Sequence, residues 1–404
     1  MSYAILHTIR SVDPSGGGPV EVLKQIALAH IAMGHRVEVA SLDTPEAAWT
    51  KDFPIPLHLL GETAGAHGSY GHSSKLVPWL RANRTQFDAV VSHGLWQFNN
   101  AATWLALRGT DTPYFVFPHG MLDPWFKRAY PVKHLKKSIY WLLRERLVLR
   151  DAAATIFTCE EERLLAGGTF PFFKCNAEVV LLGTAAPQMS EAVRQREVFL
   201  EKSPALRRGK ILLFLGRLHD KKGCAPLIEA FAKISTNTGG AWHLALAGPC
   251  ADDAYLRQLH ALAEMLCPPD SVSFPGMLTG DLKWGAFHAA DAFILPSHQE
   301  NFGISVAEAL SCGLPVLISN KVNIWREIEG DRAGLVEADT PAGTQALITR
   351  WMNMDEPARA KMRTAASDCF SKRFEIQKTA RNLLDVITPF CKRTGSANAP
   401  ATTA

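Results

Sequence analysis

Glu300 and Glu308 flank a short loop that joins an apolar run to a helical pattern. Ala292-Phe293-Ile294-Leu295 reads as a buried strand; Ile304, Val306, Ala307, Ala309 and Leu310 read as the start of a buried helix. The N-terminus of such a helix points free backbone N–H groups and partial positive charge at its ligand. Asn301, Phe302, Gly303 and Ile304 form that corner, and Gly303 lets a ligand approach the backbone closely. At a rise of about 1.5 Å per residue, Glu308 lies about 6 Å along the axis from Ile304. A phosphate seated on the N–H groups therefore has one carboxylate on each side. Carboxylates do not favour facing a phosphate, so each is expected to face neutral hydroxyls. A diphosphate between two hydroxylated groups is the outline of a sugar nucleotide.

The apolar run Ile211 to Leu215 ends at Gly216-Arg217-Leu218-His219-Asp220-Lys221-Lys222-Gly223. Cations in a glycine-bounded loop suit a diphosphate: Arg217 offers a planar fork, and Lys222, with Lys221 as competitor, a point charge. Such charges stabilise a departing diphosphate. Nearer the start, Asp13-Pro14-Ser15-Gly16-Gly17-Gly18-Pro19 precedes a helical pattern, and Gly17 and Gly18 permit close approach of a ligand. A nicotinamide-type glycine motif is excluded, because its last small position is Glu21. His119 follows the run Tyr114 to Phe117 within Pro118-His119-Gly120-Met121, and His93 ends the preceding run within Ser92-His93-Gly94-Leu95-Trp96. His119 is expected to reach a ligand and His93 to line an acceptor pocket.

Short apolar runs alternate with longer amphipathic segments through both halves, which predicts two doubly wound α/β domains with parallel sheets. Ligands of such sheets bind beyond the carboxyl ends of the strands, where these motifs fall. The expected organisation is a first domain over 1–190, a linker over 191–208, a second domain over 209–373, a returning helix over 374–392 and a disordered tail over 393–404. The 404 residues carry a net charge of +4, with 47% hydrophobic and 20% charged side chains, so a general nucleic-acid binder is not expected. The 8 cysteines are scattered without a C-x-x-C pair, which fits reduced thiols in a cytoplasmic protein. No apolar run of about eighteen residues is present, and the strand-like start is too short for a signal sequence.

The block Pro296-Ser297-x-x-Glu300-Asn301-Phe302-Gly303, with seven residues between Glu300 and Glu308, resembles the E-x7-E motif of retaining glycosyltransferases of the GT-B fold, family four. Gly216-Arg217-Leu218…Lys222-Gly223, Pro118-His119-Gly120-Met121 and Thr158-Cys159-Glu160-Glu161-Glu162 resemble further elements of that family, and the likeness runs from about Ile5 to Phe390. The resemblance implies two Rossmann-like domains facing across a cleft. It implies Glu300 and His119 on the transferred sugar, Arg217 and Lys222 on the diphosphate, and Glu308 on the ribose. It places Gly17 and Gly18 against the donor phosphates or the acceptor. It also implies a same-face substitution in which the leaving phosphate takes the acceptor's proton, with no metal or other cofactor; no D-x-D triplet is present. Leu181-Leu182-Gly183-Thr184-Ala185 departs from the family's P-N-G-V-D-like turn.

From Lys127 to Arg150 basic residues interleave with Leu135, Ile139, Leu142, Leu143 and Leu147 at helical spacing. Such a helix can lie on anionic lipid or pack its stripe on the first domain. The expected function is hexose transfer from a UDP- or GDP-sugar to a glycan or lipid-linked acceptor in polysaccharide biosynthesis, in the cytoplasm or peripherally on the inner membrane face. A glycoside hydrolase using Glu300 and Glu308 and a non-catalytic sugar-nucleotide sensor are the alternatives.

Overall fold

The computed structural model describes residues 2–62, 70–235 and 241–391, the Arg208 side chain apart. The expected tail over 393–404 lies outside the described residues. The chain divides into two compact units. The first comprises Met1–Thr158, Arg163–Val180 and the chain from Thr379 on; the second comprises Cys159–Glu162 and Leu181–Lys378.

The first unit holds β1 (Ala4–Ile9), β2 (Arg36–Ser41), β3 (Leu57–Leu59), β4 (Ala89–His93), β5 (Tyr114–Phe117), β6 (Ala154–Phe157) and β7 (Ala177–Val179). They form one parallel sheet in the order β3-β2-β1-β4-β5-β6-β7. β4 and β5 are buried along their length because helices cover both faces, which is why they read as unbroken apolar runs. The strand order reverses between β1 and β4, the place where such sheets open a crevice at their carboxyl ends.

The second unit holds β8 (Lys210–Leu215), β9 (Trp242–Ala247), β10 (Val272–Gly276), β11 (Ala292–Leu295), β12 (Val316–Ser319) and β13 (Gly334–Glu337). Their order is β10-β9-β8-β11-β12-β13, all parallel, and it reverses between β8 and β11. The loops after these two strands carry the cations and the first glutamate of the sequence motifs.

Three domain bounds differ from the sequence expectation. The first division falls after Val180, ten residues before the expected position. Residues 191–208, expected as a linker, contain the helix Ala192–Lys202, which packs on the helix Gly280–Ala289 of the same unit. Its polar face hides a buried edge of Gln195, Phe199 and Leu200. A Cβ on Gly285 would lie 2.1 Å from the Gln195 carbonyl oxygen, so glycine permits the close approach. The return to the first unit comes at Thr379, inside the helix Ile376–Ile387, rather than at 374. Among the described residues, no helix is long and apolar enough to cross a membrane.

Candidate active site

In the second unit, β8 runs into a single 3-10 turn, Asp220–Lys222, and Gly223 then takes a left-handed φ of 71°. A Cβ on Gly223 would lie 2.6 Å from the Pro296 carbonyl oxygen, so the loops after β8 and β11 touch backbone to backbone. His298 N donates to Lys221 O at 2.8 Å and ties the same loops together. On the far side, Glu300 N donates to Lys321 O at 2.9 Å, and Glu300 O accepts from Asn323 N at 3.0 Å. The Glu300 backbone is therefore clamped from both neighbours before its side chain is considered.

That clamp delivers the Glu300 carboxylate to the Lys222 ammonium, and the two form an ion pair at the switch point between β8 and β11. Both side chains are largely shielded from solvent. Burial, with Lys221 and Arg217 nearby, pushes the Lys222 ammonium down to about 7; the Glu300 carboxylate acts in the opposite sense. Of the two lysines in the loop, Lys222 is the one on Glu300. Arg217 is exposed, with its charge still felt at Lys222.

Gly303 caps the helix Ile304–Ser311 in the left-handed region, at φ 75° and ψ 68°, and no side chain caps that N-terminus. The helix thus presents N–H groups that its own turns do not use. Phe302 is buried and packs edge-on against Phe374, so a ligand meets it only through its backbone. Asn301 O accepts from Cys159 Sγ at 3.8 Å. Glu308, one turn into the helix, pairs with Lys283 Nζ at 2.7 Å. Lys283, on the helix Gly280–Ala289, was not singled out in the sequence, where it looks like any surface lysine. Both glutamates face ammonium groups, which favours two ionised carboxylates. A glycosidase needs one of its pair protonated as the acid, so this arrangement disfavours hydrolysis.

In the first unit, Gly17 precedes the helix Gly18–Ala32 with a φ of 75°, and Asp13 accepts from Ser15 N at 2.8 Å. Gly17 lines a cavity of ≈ 270 Å³ together with Glu21, Lys24, Trp49 and Asp52. The structure joins His119 to two further histidines. His119 Nε2 lies 2.9 Å from His93 Nδ1, and His93 Nε2 lies 2.9 Å from His7 Nδ1. The chain crosses the sheet from β5 through β4 to β1. His93, expected to line an acceptor pocket, is instead 1% exposed, because a strand-end side chain between β1 and β5 has no route to solvent. Burial pushes His7 and His119 down to about 3 and His93 well below its ordinary range. All three are therefore neutral near pH 7.

Neutral imidazoles in a row must share one direction of donation. His7 Nε2 is buried with no hydrogen-bond partner among the described residues. An orphaned donor is rarer than an orphaned acceptor, which assigns the His7 proton to Nδ1. His7 then donates to His93, His93 donates to His119 Nε2, and His119 keeps its own N–H at Nδ1. The sequence hint for His7 was a single polar ring in the apolar strand Ala4–Ile9.

The family model "Glycosyl transferases group 1" matches residues 195–368, and "Glycosyl transferase 4-like domain" matches residues 17–172. A D-inositol 3-phosphate glycosyltransferase of Stackebrandtia nassauensis is 31% identical over 327 residues, 76% of this chain and 70% of that protein. Sucrose-phosphate synthase from Thermosynechococcus elongatus superposes with a TM-score of 0.73 at 18% identity, covering 96% of this chain and 98% of that one. Anabaena HepE in complex with UDP-glucose gives 0.72 at 18% identity, covering 96% and 100%. The chain belongs to the group 1 glycosyl transferases of the GT-B fold, and its activity is that of a glycosyltransferase.

Proposed function

We propose that the protein is a retaining hexosyltransferase that moves sugar from a UDP- or GDP-hexose to a glycan or lipid-linked acceptor in polysaccharide biosynthesis. The observation that carries this reading is the Lys222–Glu300 pair beside an uncapped helix N-terminus. In the reading, the diphosphate takes the N–H groups of the Gly303–Ile304 corner and the charges of Lys222 and Arg217. Its phosphate displaces Glu300 from Lys222, which frees the carboxylate for the sugar's hydroxyls. Glu308 serves the ribose, and Gly17 and Gly18 border the donor phosphates or the acceptor.

The bond from the anomeric carbon to the β-phosphate oxygen breaks while the acceptor oxygen bonds to the same face. The acceptor's proton passes to the departing phosphate oxygen. Such a step needs support for charge on the sugar and on the leaving group rather than a strong base. Glu300 and the Nδ1–H of His119 are assigned to the sugar; Lys222 and Arg217 neutralise the diphosphate in place of a metal. HepE was solved with UDP-glucose, which supports a nucleotide-sugar donor here. The exposed apolar stripe along 131–143, amid basic residues, supports peripheral attachment to the inner face of a membrane.

Substitution Glu300→Gln tests the reading. Turnover should fall by about two to three orders of magnitude, the scale of a lost charge-stabilising group, while calorimetry still detects the nucleotide donor. Retention of configuration is read by NMR of the first-formed product. Near-normal turnover in the variant would remove Glu300 from the chemistry.

A further inference from the structure

The helix Pro131–Tyr140 buries no residue and carries its apolar side chains outward. Val132, Leu135 and Ile139 are 72%, 66% and 58% exposed, and Leu143 beyond them is 71% exposed. At about 100° per residue these positions share one face. The opposite face, Lys133, His134 and Lys137, lines a cavity of ≈ 220 Å³ in the first unit. A globular protein ordinarily places leucine inward and lysine outward.

The cavity wall is otherwise largely apolar and aromatic, with Met121, Phe126 and Phe170. His134 stacks on Phe170 at 4.6 Å, and Lys137 Nζ stands 4.9 Å above the Trp96 ring. Among the described residues, no carboxylate lies within salt-bridge distance of Lys133, His134 or Lys137. The buried Glu145 acts on Lys137 from farther away. Asp123, the carboxylate of the cavity wall, accepts from Trp125 N at 2.7 Å. Lys133 stands at the exposed mouth of the cavity, above the Tyr130 ring at 4.9 Å, and the half-buried Lys137 would gain from an anion placed closer than Glu145. The volume falls below the roughly 300–1,000 Å³ that encloses a whole small ligand. It suits the anionic end of a longer molecule.

One occupant satisfies both faces. We propose that this cavity binds the phosphate of a lipid-linked acceptor, whose aliphatic chain continues into a bilayer met by the outward apolar face. The proposal rests on the glycosyltransferase reading and supplies its acceptor class. Met121 and Asp123 follow His119 by two and four residues, so the phosphate would anchor the acceptor beside the segment that carries His119. Anion, apolar chain and membrane are recognised by separate features of one helix.

The test is calorimetric titration of the full chain with monomeric decyl phosphate, decanol and inorganic phosphate. Decyl phosphate should bind at least about tenfold more tightly than either fragment, the scale of one charge-assisted contact. The double substitution K133E/K137Q should weaken it by about tenfold or more with the UDP affinity unchanged. The double substitution L135S/I139S should keep decyl phosphate binding but abolish recovery on vesicles containing phosphatidylglycerol. Protection of Lys133 and Lys137 of the wild type from acetylation by decyl phosphate checks the site without any variant. The proposal is overturned if decyl phosphate does not bind, if decanol or inorganic phosphate binds as tightly, if K133E/K137Q binds normally, or if neither lysine is protected. None of these readouts uses turnover; failure of the glycosyltransferase reading would appear separately, as absent donor binding.

Discussion

At the scale of residues, two charge balances set the behaviour of the protein. Lys222 is pushed down to about 7 while facing Glu300. Glu300 and a bound diphosphate both favour the ammonium, so the charge on Lys222 is kept when one replaces the other. Lys222→Met should therefore weaken UDP binding by about tenfold or more in calorimetry; an unchanged affinity would refute the exchange. The histidine chain acts on stability. His7 and His119 titrate near 3 in the folded state against about 6.5 unfolded. Between these values the unfolded chain binds more protons, so the stability is complete above about 6.5 and is lost as pH falls toward 3. Each such histidine contributes a slope of up to about 1.4 kcal/mol per pH unit. Urea unfolding at pH 7 and pH 5 should give a shallower acid loss for His119→Asn than for the wild type. His119 was legible in the sequence through its proline and glycine neighbours. His93 was singled out as well, but for an acceptor pocket; that it links His119 to His7 was not legible, because side chains distant in sequence meet only once β1, β4 and β5 are paired.

At the scale of elements, helical periodicity located the apolar stripe of 131–147 without saying what covers it. The structure leaves Leu135 and Ile139 exposed yet buries Leu149 completely on the following helix, Arg146–Asp151. Leu135→Ser should therefore change the unfolding free energy by less than about 0.5 kcal/mol. Leu149→Ala should cost about 2–5 kcal/mol through a cavity. Denaturant titration of the two variants separates these outcomes, and equal losses would mean that the stripe packs on protein. Strands show the converse limit. The buried runs of β4, β5, β11 and β12 stood out, whereas β3, β7 and β13 did not. Edge strands are short and partly exposed, so they carry no continuous apolar signal. The helix Ala192–Lys202 escaped for a related reason: its outer residues are charged, and its buried contact is narrow.

At the scale of the whole molecule, the path of the chain matters more than the order of its motifs. The segment from Thr379 clusters with the first unit, with Ala380, Leu383 and Ile387 fully buried and Ala380 O 2.8 Å from His30 Nε2. Fully burying one leucine or isoleucine contributes about 1.5–3 kcal/mol. A chain ending at Lys378 should therefore lower the unfolding midpoint of the first unit, measured by scanning calorimetry, while UDP still protects the second. An unchanged first transition would show that the returning helix is dispensable. The sequence by itself determined two α/β halves, the loops that carry the chemistry and the family to which they belong. Burial on both sheet faces and the spacing of Glu300, Glu308, Arg217 and Lys222 are local properties of the chain. Only the tertiary structure decided that Lys222 holds Glu300, that Glu308 faces Lys283, that three histidines share one proton direction, and that a helix shows its leucines to the outside. Those depend on strand order and on which face of each element finds a neighbour, and a one-dimensional pattern carries neither.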